Sequence, residues 1–285
     1  MKKKVLVLVA AMTAVVLSAK AEVEFAYDAG AEIVSAYIWR GQYNGGLSFQ
    51  PDVEVGFDGE HTSLRVGAWA NIGASDWKFR KDQGDGTGFT RFVPEIDIIG
   101  SFSVYGFNVG FNHYYYCDGT SFLNWKSVET IDTYGGTSTT EVWAGYNFGH
   151  VFGDKAGAYI NWYTTVAGND LVYDENTGEA RRAWSSYLEL GYDYTFEDAG
   201  VTLGAQLGMS PWASDLYGNS KFAVTNIALK INKEWEFDHV TLDLFAQGSI
   251  NPDGINKENV FINAAGDDKL YLQKLNGVIG LGFWF

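Results

Sequence analysis

The stretch Leu47-Ser48-Phe49-Gln50-Pro51-Asp52-Val53-Glu54-Val55-Gly56-Phe57-Asp58 decides the fold. Its odd positions are apolar and its even positions are polar or glycine. Side chains of an extended chain point alternately to opposite faces, so this segment has one oily face and one wet face. Strands of soluble domains average about five or six residues, whereas tilted strands that cross a bilayer need about 9–11. At twelve residues this one is long enough to cross.

Working outward, the same period recurs along the chain. Leu64, Val66, Ala68, Ala70 and Ile72 alternate with Ser63, Arg65, Gly67, Trp69 and Asn71. Leu203, Ala205 and Leu207 alternate with Gly204, Gln206 and Gly208. The pattern predicts about twelve strands, near 30–40, 46–58, 62–72, 92–102, 104–116, 139–148, 157–166, 183–195, 200–210, 222–233, 239–249 and 275–285. The connections alternate in length. Tight turns near 58–61, Ser103, 197–199 and 236–238, with a longer one at 149–155, separate polar loops at 41–45, 73–91, 117–138, 167–182, 211–221 and 250–274. Long loops gathered at one end of an even-numbered set of strands predict an all-β, antiparallel up-and-down transmembrane barrel. In hydrocarbon every backbone polar group needs an internal partner, so strands cross only as a closed barrel.

Composition agrees. The 285 residues are 46% hydrophobic and 16% aromatic but only 19% charged, with 34 glycines, and mean hydropathy is near neutral at −0.12. A lipid-facing outside alternating with a polar, glycine-spaced inside gives that average. The net charge of −15 excludes wholesale phosphate neutralisation, so nucleic acid is not an expected partner. A single Cys117 excludes a disulfide framework and a multi-thiolate metal site. No cofactor is expected: no phosphate loop, Cys/His cluster or His-Glu-x-x-His pattern occurs.

Residues 1–21 read as a signal peptide. Lys2, Lys3 and Lys4 precede an apolar run from Val5 to Leu17, and Ala19-Lys20-Ala21 is a cleavage site. Cleavage after Ala21 leaves 22–285 as a single barrel domain with net charge −19. Aromatics near strand ends, namely Tyr37, Trp39, Phe57, Phe102, Tyr115, Phe148, Tyr194 and Phe283, are expected to form interfacial girdles.

The final strand closes on Phe285 after Gly280-Leu281-Gly282-Phe283-Trp284. That ending resembles the assembly signal of bacterial outer-membrane barrels. Ser35-Ala36-Tyr37-Ile38-Trp39-Arg40-Gly41 followed by Gln50-Pro51 resembles the first hairpin of the TorF-type porin family. These resemblances imply a Gram-negative outer membrane, with its lipid, its lipopolysaccharide, the barrel assembly machinery and small solutes as partners.

The inward phase places Asp52, Glu54, Glu95, Asp97, Glu141, Glu189, Asp193 and Asp243 against Arg65, Lys230 and Arg40, whose own phase is ambiguous. Asn108 and Asn112 share that face. Buried unpaired carboxylates are expensive. A wet lumen makes a narrow, cation-preferring pore for passive solute passage. A dry one is filled by Tyr114, Trp143, Tyr159, Tyr163 and Tyr187, leaving a closed barrel whose outer loops bind surface ligands. Twelve strands lie between filled eight-stranded barrels and open sixteen-stranded porins.

Enzymatic readings are weaker. His61, His150 and His239 fall in turns. His113 shares the phase of Phe107, Val109 and Phe111, facing lipid as in a twelve-stranded outer-membrane phospholipase. Position 115, where that enzyme has its serine, is Tyr, so a nucleophile would come from Ser63 or Ser138. Asp267-Asp268 lacks a neighbouring His. No catalytic residue and no metal ligand is assigned.

Overall fold

The computed structural model describes residues 23–74, 94–117, 121–123, 138–153, 156–168, 170–173, 180–214, 216–253 and 274–285. The signal-peptide stretch, Asp267-Asp268 and most of the long loops lie outside the described residues. Among the described residues sixteen strands occur: β1 (Glu24–Val34), β2 (Tyr37–Trp39), β3 (Gln42–Gly45), β4 (Ser48–Gly59), β5 (Thr62–Gly73), β6 (Glu95–Val104), β7 (Phe107–Tyr116), β8 (Thr139–Asn147), β9 (Ala156–Ala167), β10 (Leu171–Tyr173), β11 (Ala180–Arg182), β12 (Ser186–Phe196), β13 (Val201–Ser210), β14 (Ala223–Glu236), β15 (Thr241–Ile250) and β16 (Leu275–Trp284). A single helical turn, α1 (Gly149–Phe152), joins β8 to β9.

Twelve of the strands form one closed antiparallel barrel in the order β1, β4, β5, β6, β7, β8, β9, β12, β13, β14, β15, β16. It closes through Gly30–Val34 of β1 against Gly280–Trp284 of β16. The remaining strands make two small hairpins, β2–β3 and β10–β11. The alternation explains the wall. Register pairs Val55 with Val66 and Tyr27, and Phe57 with Leu64 and Phe25, so like faces stay together around the circumference.

The outside is apolar and unburied: Leu229 is 69% exposed, Phe25 64% and Ile279 62%. A soluble protein rarely leaves so continuous an apolar surface uncovered. A closed barrel wearing such a belt is what a hydrocarbon environment stabilises. Short connections occupy one end. Tyr105 (φ 49°) and Gly106 (φ 80°) make a two-residue turn, and Gly200 (φ 55°) ends the turn before β13. The opposite strand ends, such as Gly73 of β5 and Tyr116 of β7, are those from which the long connections depart.

The structure corrects the start of the chain. The sequence pattern placed the first strand at 30–40, but β1 runs Glu24–Val34. After Ala36 the chain leaves the wall, and β2–β3 fold inward with Arg40 (φ 49°) and Gly41 (φ 81°) as the tip. Those two positive φ angles suit a tight hairpin turn and interrupt a wall strand. Tyr37 and Trp39 are therefore interior residues, not interfacial ones. The turn expected at Ser103 lies two residues later, at Tyr105-Gly106, and 171–182, expected as loop, contains β10–β11.

Candidate functional site

All twelve wall residues assigned to the lumen stand on the face opposite the exposed apolar belt. Asp52 and Glu54 on β4 alternate with exposed Val53 and Val55, and Glu189 and Asp193 on β12 with exposed Leu190 and Tyr192. Glu95 and Asp97 are inward on β6, Glu141 on β8 and Asp243 on β15, each under 8% exposed. Arg65, Asn108, Asn112 and Lys230 share that face. Asp28 and Glu32 on β1, Asp58 on β4 and Glu234 on β14 also fall on it. Asp28 escaped the sequence reading because β1 was placed too late, although Phe25, Tyr27 and Ala29 already alternate with Ala26 and Asp28, and Glu234 lies one residue past the end expected for its strand.

Bases are few against these acids. Arg65 donates to Asp28 at 2.9 Å and also pairs with Asp58. The ammonium of Lys230 sits 4.5 Å from the centre of the Phe245 ring. Oδ1 atoms of Asp52, Asp97 and Asp243 are buried with no hydrogen-bond partner. Asp52, Glu54 and Glu189 are half-buried and Asp193 is exposed, so water reaches this inner face.

Glycine keeps that face clear. Tyr159 lies over Gly191, Tyr187 over Gly208 and Trp143 over Gly110, so closely that a Cβ on any of these glycines would overlap the ring. A ring seated on a bare backbone lies along the wall rather than across the lumen. Asn161 over Gly145, Phe245 over Gly280 and Trp284 over Gly30 repeat the device. Tyr163 and Tyr187 join this lining at 6.1 Å between ring centres.

At the long-loop end the lumen is crossed by β2–β3. Its tip carries Arg40, whose guanidinium forks onto Glu141, Nη1 to Oε2 at 2.7 Å and Nη2 to Oε1 at 2.8 Å. Nη1 also donates to the Tyr217 hydroxyl at 2.5 Å. Rings of Tyr163, Trp39 and Tyr187 lie 3.9, 4.7 and 4.8 Å from the guanidinium carbon. Tyr114 donates to Glu141 at 3.0 Å and Asn112 at 3.2 Å, which saturates the carboxylate. Side-chain exposure is 9% for Arg40 and 1% for Glu141. Burial pushes the Tyr217 hydroxyl above its ordinary range, so it stays a neutral partner for the cation.

The hairpin is held on several sides. Tyr37 packs on Trp69 at 5.5 Å and hydrogen-bonds Glu95, while Trp39 stacks on Tyr217 at 5.7 Å with the rings 7° apart. Asn276 of β16 donates to the Gly41 carbonyl at 2.9 Å, and Gln42 donates to the Leu216 carbonyl at 3.1 Å. Gly41 has no room for a side chain against the backbone of Thr225. Loop 211–219 is fastened in turn: Ser185 donates its hydroxyl to Asp170, Ser214 donates to Ser185 at 2.7 Å, and Tyr217 N–H donates to Ser214 at 3.1 Å. Sequence reading placed Arg40 among the lumen bases but missed this plug. The local sequence marks only where the apolar run 36–39 ends, at Arg40-Gly41, and not what the tip meets.

Of the residues expected at the interfaces, Phe57, Tyr194 and Phe283 are exposed on the outward face near the short-turn end. Phe102 and Phe148 are half-buried on the same face, and Tyr115 rests against Phe122 at 5.1 Å. Phe285 is 67% exposed, and its N–H donates to Ala29 at 2.8 Å. His113 does not meet lipid. It is 4% exposed, with Nδ1 2.9 Å from Thr140 Oγ1 and Nε2 2.9 Å from the Phe122 carbonyl. Ser138 donates to that same carbonyl at 2.5 Å, not to His113, and Ser63 lies at the start of β5, at the opposite end of the barrel. The His61 ring lies 4.6 Å from the Tyr105 ring at a turn, tilted by 36°, and His150 lies in α1. Among the described residues no group of three or more His, Cys, Asp or Glu is placed to hold a metal ion.

No family model and no curated protein matches the chain. Among solved structures it is similar to an outer-membrane channel from Pseudomonas putida F1, at 11% identity over 93% of this chain and 94% of that one, with a TM-score of 0.44. It is also similar to the P. putida toluene transporter TodX, at 10% identity over 94% and 90% of the two chains, TM-score 0.38.

Proposed function

We propose that this chain is a passive outer-membrane channel, not an enzyme, giving small solutes and cations in particular a narrow path. One observation carries the reading: the inner face is water-reached and strongly acidic, with few bases to neutralise it. Carboxylates along a pore raise the local cation concentration and repel anions. The Arg40 hairpin sets the limiting width at the long-loop end, since below it the rings lie along the wall. Interfacial aromatics, Phe285 as an assembly signal, cleavage after Ala21 and kinship with TorF-type porins belong to the same reading.

Planar-bilayer recording tests it. A potassium chloride gradient should give a reversal potential of cationic sign, and the combined variant Asp52→Asn, Glu54→Gln should move it toward zero. Absence of any conductance from folded protein would overturn the channel reading. The hairpin favours a second reading, a closed barrel that binds ligands at its loop end, and the same recording separates the two.

A further inference from the structure

The surroundings of Arg40 have the form of a ligand site whose occupant is the chain's own side chain. Glu141 presents two oxygens to two guanidinium nitrogens, 2.7 and 2.8 Å away. Planar fork-to-fork pairing of this kind distinguishes a guanidinium from an ammonium, which can offer only a point charge. Aromatic rings at 3.9 to 4.8 Å supply π faces, as sites that recognise cationic ligands do. Glu141 is pre-oriented by Tyr114 and Asn112, which donate to it independently of Arg40. The box is thus built on β7, β8, β9 and β12 of the rigid wall with Tyr217 from loop 211–219, while the occupant arrives, with Trp39 beside it, on a hairpin.

That occupant is held with some strain. Arg40 takes φ 49°, a conformation that side-chain-bearing residues rarely adopt. Glu189 and Asp193 continue down β12 below Tyr187, so a cation moving along the wet wall meets carboxylates up to the box.

We propose that the pocket formed by Glu141, Tyr163, Tyr187 and Tyr217 is a recognition site for solutes carrying a guanidinium group, and that Arg40 occupies it as a tethered competitor. A guanidinium solute that takes the pocket releases the hairpin tip, which couples recognition to widening of the passage. The inference deepens the channel reading and rests on it only for solute access. Its test reads binding, so its failure and the failure of conduction are separate results.

Equilibrium dialysis of radiolabelled methylguanidinium against the full-length barrel, refolded in detergent micelles, tests the inference. Arg40→Ala empties the pocket and should bind the probe at least tenfold more tightly than the unsubstituted chain. Arg40→Lys keeps a tethered charge without the fork and should fall between the two, so a readout survives if the alanine variant folds poorly. Adding Glu141→Gln to Arg40→Ala should abolish the gain. Methylammonium should bind Arg40→Ala at least tenfold more weakly than methylguanidinium. Equal binding by the unsubstituted chain, Arg40→Lys and Arg40→Ala would overturn the proposal, as would an Arg40→Ala gain that survives Glu141→Gln.

Discussion

Replacing Glu141 with alanine should unseat the hairpin that crosses the lumen. In the seated state the substitution leaves a guanidinium only 9% exposed without its carboxylate, and leaves Tyr114 and Asn112 without their acceptor. Breaking a buried ion pair by removing one partner costs about 3–5 kcal/mol. Tyr217 and the rings of Tyr163, Trp39 and Tyr187 remain, which argues for the lower part of that range. In the displaced state Arg40 reaches water and the cost disappears, so the whole difference acts on the seated-to-displaced ratio. At about 1.4 kcal/mol per tenfold, 3 kcal/mol shifts that ratio roughly a hundredfold. The assay is single-channel recording of variant and unsubstituted barrels, with heat-modifiable gel migration as proof that both are folded. Expected is a higher open probability or a larger unitary conductance. A folded Glu141→Ala barrel with unchanged conductance and unchanged open probability would refute the view that the Arg40–Glu141 fork holds the plug.

Three other outcomes follow from the same geometry. Gly191→Ala forces Tyr159 off its seat; it should cost about 1–3 kcal/mol in urea unfolding and narrow the passage, read as lower unitary conductance. Leu229→Arg, at a belt position 69% exposed to the lipid side, should destabilise the barrel by up to about 2–4 kcal/mol if it sits near mid-membrane, whereas Glu54→Gln on the inner face should leave folding in liposomes nearly unchanged. Ser214→Ala removes the hydroxyl between Ser185 and the Tyr217 N–H and should loosen loop 211–219, seen as faster amide exchange at Tyr217 with the barrel strands still protected.

The wall was legible in the sequence because its cause is local. A residue's face follows from its parity, so Val53 and Glu54 declare lipid and lumen without knowledge of any partner. Strand number and the segregation of long loops follow from the same count. The plug was not legible, because its cause is distant. Arg40 and Glu141 are 101 residues apart, and nothing near either one announces the other. Local alternation continues through Tyr37 and Trp39, so parity alone carried the first strand past the point where the chain turns inward. Whether the inner rings fill the lumen was equally hidden. It depends on a glycine in the neighbouring strand, such as Gly191 opposite Tyr159, and that pairing exists only once the register is known.

The most direct test of cation preference is the zero-current potential of the folded barrel across a planar bilayer separating concentrated from dilute potassium chloride. A potential of cationic sign that collapses toward zero in Asp52→Asn, Glu54→Gln is the predicted result. A potential of anionic sign would contradict the account.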